Sequence, residues 1–405
     1  MYIDGNKFSD GTQTQAALDA LYSLDLDEEL PGKEYIEQFE TNSYFKDAVC
    51  ARAKALGYDG ASDEELITFL AHCCSQAGVA LSRQTITNWI QESAPTGSTV
   101  GRENVYKLCF ALSMDENQTA EFFLKAFLEK PFQFKRVQEC VYYYCLKNGL
   151  PYEKAEQLLA QIEQTPAPVS EFCEDNTVLI GQAISAIRNE DKLVQYITEN
   201  REGFSVQNKT ALEKIRELLE KCYEIATEEQ KQEQQWHSDE KEQKQKRSAD
   251  KYSRQVKTPD ALLAVIYGYA ARATEKDKDG NRYNVYKKSI SKSSFPKAIK
   301  TNFPQRQQFE YILKGKGSND AIRKALIVLD FYSFFGEAAA KKIDLDDPFD
   351  EFTDELNLLL ETCGYEQMYW RNPFDWMIGY SAFADVPLDE FRGLIDAFYL
   401  SRDEE

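Results

Sequence analysis

Histidine is nearly absent: the 405 residues hold only His72 and His237. His72 lies in the apolar helical run Ala71-His72-Cys73-Cys74, and His237 lies in a polar stretch. A zinc site asks for about four converging nitrogen and sulfur ligands, usually as paired short spacings. Neighbouring cysteines on a helix point in different directions, so Cys73 and Cys74 do not make such a pair. The sequences Gly-x-Ser-x-Gly, His-Glu-x-x-His and Gly-x-x-x-x-Gly-Lys-Ser/Thr are missing, and with them the commonest nucleophile elbow, zinc helix and phosphate loop. Gly315-Lys316-Gly317-Ser318 lacks the full loop spacing and reads as a turn. Asp277-Lys278-Asp279-Gly280-Asn281 fails as a calcium loop, because its glycine comes too early and Lys288 stands where a terminal glutamate is required. The cluster Asp344, Asp346, Asp347, Asp350 and Glu351 is read as carboxylates favouring a helix start, with a divalent cation the alternative its number allows. No catalytic residue, metal or cofactor is expected, and the chain is not expected to be an enzyme.

Two further absences bear on location. There is no basic stretch followed by an apolar run at Met1–Phe8, and no run of about 18 uninterrupted apolar residues. A signal peptide and a membrane partner are therefore not expected. Nine cysteines, odd in number and scattered through apolar patterns such as those around Cys109, Cys140, Cys145 and Cys222, do not form a disulfide framework. They point to a reducing compartment, the cytoplasm.

What is present is material for cores. Hydrophobic residues make up 42% and aromatics 13%, enough to fold and too much for one ordinary core at this length, so two or three domains are expected. The apolar period is helical almost throughout, which predicts a mainly α fold of multi-domain helical bundles with an N-terminal helix-turn-helix. The organisation read from punctuation is a polar, short-helical segment over 1–61, a helix-turn-helix-containing domain over 62–165, and a second helical region over 170–227. A charged linker or solvated helix over 228–258, a basic helical domain over 259–335 and an acidic helical domain over 336–405 complete it. Prolines 166 and 168 mark the clearest boundary in the first half.

The strongest local signal runs from Ser62 to Leu112. Ser62 with Glu65 has capping-box spacing, and Leu66, Ile67, Phe69, Leu70 and Cys73 give an apolar helical face that Gly78 ends. Ser82 then opens a short helix, Arg83 to Gln91, with Ile86, Trp89 and Ile90 facing inward. Its outer face carries Ser82, Arg83, Gln84, Thr87, Asn88 and Gln91, residue types that suit major-groove reading: arginine fits guanine, and asparagine or glutamine fits adenine.

Ser82-Arg83-Gln84-Thr85-Ile86-Thr87-Asn88-Trp89, followed after Pro95 by Tyr106-Lys107-Leu108-Cys109-Phe110-Ala111-Leu112, resembles the Xre/Cro-type helix-turn-helix regulators of bacteria. The resemblance covers about an eighth of the chain. Over its whole length the chain looks like long regulator-like helix-turn-helix proteins of gut-type Firmicutes, with Asn372-Pro373-Phe374-Asp375-Trp376 near the end. It departs from the pattern in a longer helix before Gly78, an extended loop after Gln91 and a mildly acidic 62–112 segment. The resemblance implies duplex DNA as partner. The same residues also allow a degenerate helix-turn-helix used for protein contact, or a plain bundle.

The net charge of −20 hides a division. From Lys276 to Lys324 there are 13 Lys/Arg against 4 Asp/Glu, and from Asp330 to Glu405 there are 5 against 19. Lys287, Lys288 and Lys300 are candidate phosphate contacts in the basic block, whose interleaved Tyr283, Tyr286, Phe295, Phe303, Phe309 and Tyr311 suit base stacking. A packed core with a lysine face, and masking of the block by the acidic C-terminal region, fit the same pattern. The reading adopted is a cytoplasmic DNA-binding regulator whose other domains sense, self-associate or bind a partner protein. Its rival is a helical protein-interaction adaptor of a mobile element or defence system that binds no DNA.

Overall fold

The computed structural model describes residues 41–92, 99–166, 177–204, 209–240, 256, 258–268, 271–276, 282–286, 304, 306–343 and 345–400. It is mainly α, as the apolar period predicts. The buried apolar residues gather into two cores, one built from Phe45 to Phe204 and one from Ala211 to Ile395 with Leu128 joining it.

The first core begins inside the segment expected to be polar and short-helical. Helix α1 (Thr41–Ala55) buries Phe45, Val49 and Ala53, which recur every fourth residue and so lie on one face. Helix α2 (Asp63–Gln76) starts at the expected capping box: the Ser62 hydroxyl accepts from Glu65 N, and the Glu65 carboxylate accepts from Ser62 N at 3.0 Å. Gly78 follows at φ +65°, a conformation glycine adopts without strain, and turns the chain into α3 (Arg83–Thr87). A single π turn over Asn88–Glu92 extends α3. Helices α4 (Thr99–Ala111), α5 (Glu116–Phe122), α6 (Val137–Lys147), α7 (Tyr152–Gln164), α8 (Thr177–Ala186) and α9 (Glu190–Glu199) complete this core. α6 is buried on nearly every side, from Glu139 to Leu146.

The second core rests on two long helices, α10 (Lys209–Glu240) and α13 (Asn319–Lys341). They approach closely where Gly336 faces Ile225: a Cβ at 336 would lie 2.8 Å from the isoleucine methyl. The expected boundary at 335/336 falls inside α13, and α10 runs through the expected boundary at 227/228. Helices α11 (Pro259–Ile266), α12 (Arg306–Leu313), α14 (Pro348–Thr362), α15 (Pro373–Phe383) and α16 (Pro387–Leu400) pack around the pair. Pro373 and Pro387 sit in the first turns of the last two helices, where the missing N–H costs nothing.

The region expected to be a basic helical domain contains a β-hairpin. Strands β1 (Ala271–Lys276) and β2 (Arg282–Tyr286) pair antiparallel, with Thr274 opposite Asn284 and Glu275 opposite Tyr283. Helix α11 ends at Ile266 ahead of the hairpin, and Gly268 follows at φ +70°. Asp279-Gly280 ahead of the β-formers Tyr283 and Val285 is a hairpin signal that a helical period search passes over.

The two cores meet at the chain after α5. That helix ends in a π turn, Phe123–Phe127, and Leu128 turns left-handed at φ +57° to enter the second core. Tyr369 OH donates to Leu124 O at 3.1 Å, and Asn372 Nδ2 donates to Leu128 O at 3.2 Å. From the first core, Arg102 Nη2 donates to Lys130 O at 2.7 Å. Its Nε and Nη2 fork the Glu139 carboxylate at 2.8 and 2.9 Å, and Nη1 reaches Glu129 at 2.8 Å. Tyr106 OH and Gln133 N also donate to Glu139, each at 2.8 Å.

Candidate nucleic-acid interface

Three buried side chains hold α3 from behind. Ile86, Trp89 and Ile90 lie in the first core, and the Trp89 ring meets Phe45 edge-on at 5.7 Å. Ser82 caps the helix, its hydroxyl accepting from Thr85 N at 3.0 Å. These contacts aim the other face outward. Ser82, Arg83, Gln84 and Gln91 are exposed, and Thr87 and Asn88 are half-buried.

The face is already internally bonded. Arg83 Nη2 donates to the Glu64 carboxylate and, at 3.0 Å, to Thr68 Oγ1, both on α2. Gln84 Nε2 donates to Asn88 Oδ1 at 2.6 Å, as residues one helical turn apart can. The π turn at Asn88 widens the helix there, so Asn88 and Gln91 do not continue the straight row that an unbroken α-helix from Arg83 to Gln91 would make.

The basic side chains around the face are engaged within the fold. Between Ser62 and Leu112 the basic residues are Arg83, Arg102 and Lys107. Arg83 pairs with Glu64, Lys107 with Glu103 at 2.6 Å, and Arg102 is buried against Glu139 and Glu129. Next to them, Lys46 pairs with Asp63 at 2.8 Å, and Arg52 donates to Leu112 O at 3.0 Å at the end of α4. Of the six α3 positions singled out in sequence, the structure gathers Ser82, Arg83, Gln84, Thr87, Asn88 and Gln91 on or beside one short helix. The other three, Lys287, Lys288 and Lys300, lie outside the described residues.

Sequence reading missed the buried ion pairs behind this unit. Arg102 lies in the first turn of α4, and Glu139 sits in the apolar run Val137-Gln-Glu-Cys-Val-Tyr, both at positions the helical period assigns to the interior. A charge at a core position is the signal that was there to find, since such charges persist only when paired. Burial disfavours the ionised Glu139, but the Arg102 guanidinium, its hydrogen bonds and Arg136 outweigh that and hold the carboxyl down at about 2. Among the described residues, no three His, Cys, Asp or Glu side chains gather to hold a metal, and no helix is long and apolar enough to cross a membrane. Burial pushes the thiols of Cys74 and Cys109 up, to about 11 and about 12.

No protein-family model, curated protein or solved structure matches this chain.

Proposed function

We propose that this is a cytoplasmic DNA-binding regulatory protein of non-enzymatic type, in which α2 and α3 form a helix-turn-helix and α3 enters the major groove of duplex DNA. The observation that carries the reading is the exposed polar row Ser82, Arg83 and Gln84 at the start of a short helix pinned by Ile86, Trp89 and Ile90. Recognition helices present their N-terminal residues to base edges in this way. The second core then serves sensing, self-association or partner binding.

Selection from random duplexes by the purified chain, at two salt concentrations, tests the reading. Enrichment of one motif is expected, with affinity falling as salt rises because each phosphate contact releases counterions. The double variant Arg83→Ala/Asn88→Ala is expected to lose the motif preference; unchanged selection by that variant removes α3 from the interface.

One observation favours a second reading, a helix-turn-helix converted to protein contact. Each basic side chain between Ser62 and Leu112 is ion-paired within the fold, which leaves little positive charge for phosphates. Under that reading no duplex is enriched, and a protein partner is retained by the wild type and lost by the double variant.

A further inference from the structure

The π turn that ends α5 is shaped by the second core. Leu128 N and Glu129 N both donate to Phe123 O, the latter at 3.2 Å, so neither reaches Leu124 O. In a regular α-helix Leu128 N would donate to Leu124 O, four residues back. Here that carbonyl accepts from Tyr369 OH of the second core instead, at 3.1 Å. Leu128 stands at φ +57°, a left-handed conformation that strains any residue but glycine. Its side chain is buried in the second core, and its carbonyl accepts from Asn372 Nδ2 at 3.2 Å. Three contacts from the second core thus hold a register and a backbone angle that this turn does not favour by itself. The free alternative is recapture of Leu124 O by Leu128 N.

The same turn carries α1. That helix packs against it and against the second π turn, Asn88–Glu92, which extends α3. Phe45 of α1 is the shared piece and is fully buried. Its ring meets Phe122 edge-on at 5.4 Å and Trp89 edge-on at 5.7 Å. A close-packed interior has few voids in which to absorb a displaced ring, so a shift of Phe122 is handed on to Trp89.

We propose that the Phe123–Leu128 turn is a conformational relay. Seated, the second core holds the turn in its π form; when Tyr369 and Asn372 let go, the turn relaxes, and α1 passes the change through Phe45 to α3. The relay gives the second core control over the outward face of α3. It does not rest on the DNA-binding reading, since it concerns α3 whichever partner that helix meets.

Hydrogen exchange of the full chain, read by mass spectrometry, tests the relay. Tyr369→Phe/Asn372→Asp removes both donors and leaves an acceptor at 372 to cap α15. Exchange is expected to quicken by about threefold or more over 124–129 and by about twofold or more over 88–92, because two hydrogen bonds are lost. Helices α7 and α9 of the same core are expected to keep their rates. Adding Phe45→Leu is expected to abolish the response over 88–92 and to leave that over 124–129. Unchanged rates over 124–129 overturn the hold of the second core on the turn. A response there without one over 88–92, or equal quickening of α7 and α9, overturns transmission to α3. A response over 88–92 that survives Phe45→Leu overturns the route through that ring. Should Phe45→Leu not fold, Trp89→Phe on the other side of the contact takes its place with the same outcomes.

Discussion

Arg323 on α13 forks the carboxylate of Asp375 in the first turn of α15, at 2.8 and 2.7 Å. The same guanidinium donates to the carbonyls of Glu366 and Gln367, each at 3.1 Å, and Asp375 accepts from Tyr369 N at 2.8 Å. Three residues earlier in the motif, Asn372 Oδ1 caps α15 while its Nδ2 bonds Leu128 O. The Asn-Pro-Phe-Asp-Trp run thus ties α15 to α13 and to the chain between the cores. It is the counterpart of the Arg102–Glu139 fork on the other side of Lys130.

Removing half of the Arg323–Asp375 pair leaves an uncompensated buried charge. Asp375→Ala is expected to destabilise the second core by about 3–5 kcal/mol, measured by urea unfolding. Hydrogen exchange should quicken around 366–370 and at Leu124–Leu128. Unchanged exchange at 124–128 would show that the junction does not depend on this pair.

Glu139 sets an acid limit. Its folded carboxyl, held at about 2, binds protons more weakly than in the unfolded chain. Its contribution is therefore present above the ordinary carboxylate range near 4.5 and is lost as pH falls towards 2, worth roughly 3 kcal/mol in all. Glu139→Gln is expected to flatten the stability profile between pH about 4.5 and 2 while lowering stability at neutral pH. Denaturant midpoints across that window check both.

Asp330 has the opposite sign. It is 4% exposed on α13, its Oδ2 has no hydrogen-bond partner, and burial, with Glu355 adding, pushes its carboxyl up to about 7. The folded chain holds this proton more tightly than the unfolded one. Its contribution is thus complete below the unfolded carboxylate range and declines as pH rises to about 7. Asp330→Asn, which cannot ionise, is expected to raise stability at pH 8 by on the order of a few kcal/mol and to change little at pH 4. Thermal unfolding at the two values decides it.

Glu64 holds the Arg83 guanidinium that the proposed reading assigns to DNA. If α3 binds duplex DNA, Glu64→Gln frees the guanidinium and removes a repulsive charge. Affinity is then expected to rise by about threefold to tenfold, with the salt slope steepening by up to about one unit. Wild-type binding that Glu64→Gln leaves unaltered would place Arg83 away from the phosphates and bases.

Gly78 is a backbone requirement rather than a packing one. No atom lies within 4 Å of where its Cβ would stand, yet its φ of +65° strains any side chain. Gly78→Ala is expected to cost about 1 kcal/mol, read from the unfolding midpoint.

What the sequence alone determined was local: where helices begin and which faces they bury. The capping box at Ser62, the turn at Gly78, the cap at Ser82 and the inward Ile86, Trp89 and Ile90 are all decided by neighbours within about four residues, and each is found where the residues say. Tertiary structure decided the partners of charges. Nothing near Arg102 in sequence announces Glu139, 37 residues on, nor does anything near Arg323 announce Asp375, 52 residues on. The Arg83–Glu64 pair, which tempers the proposed reading face, also spans a turn and most of a helix. Local pattern is set by hydrogen bonds and rotamers along one helix. Pairing across the cores is set by which distant surfaces the burial of apolar area brings together, and no window along the chain contains that information.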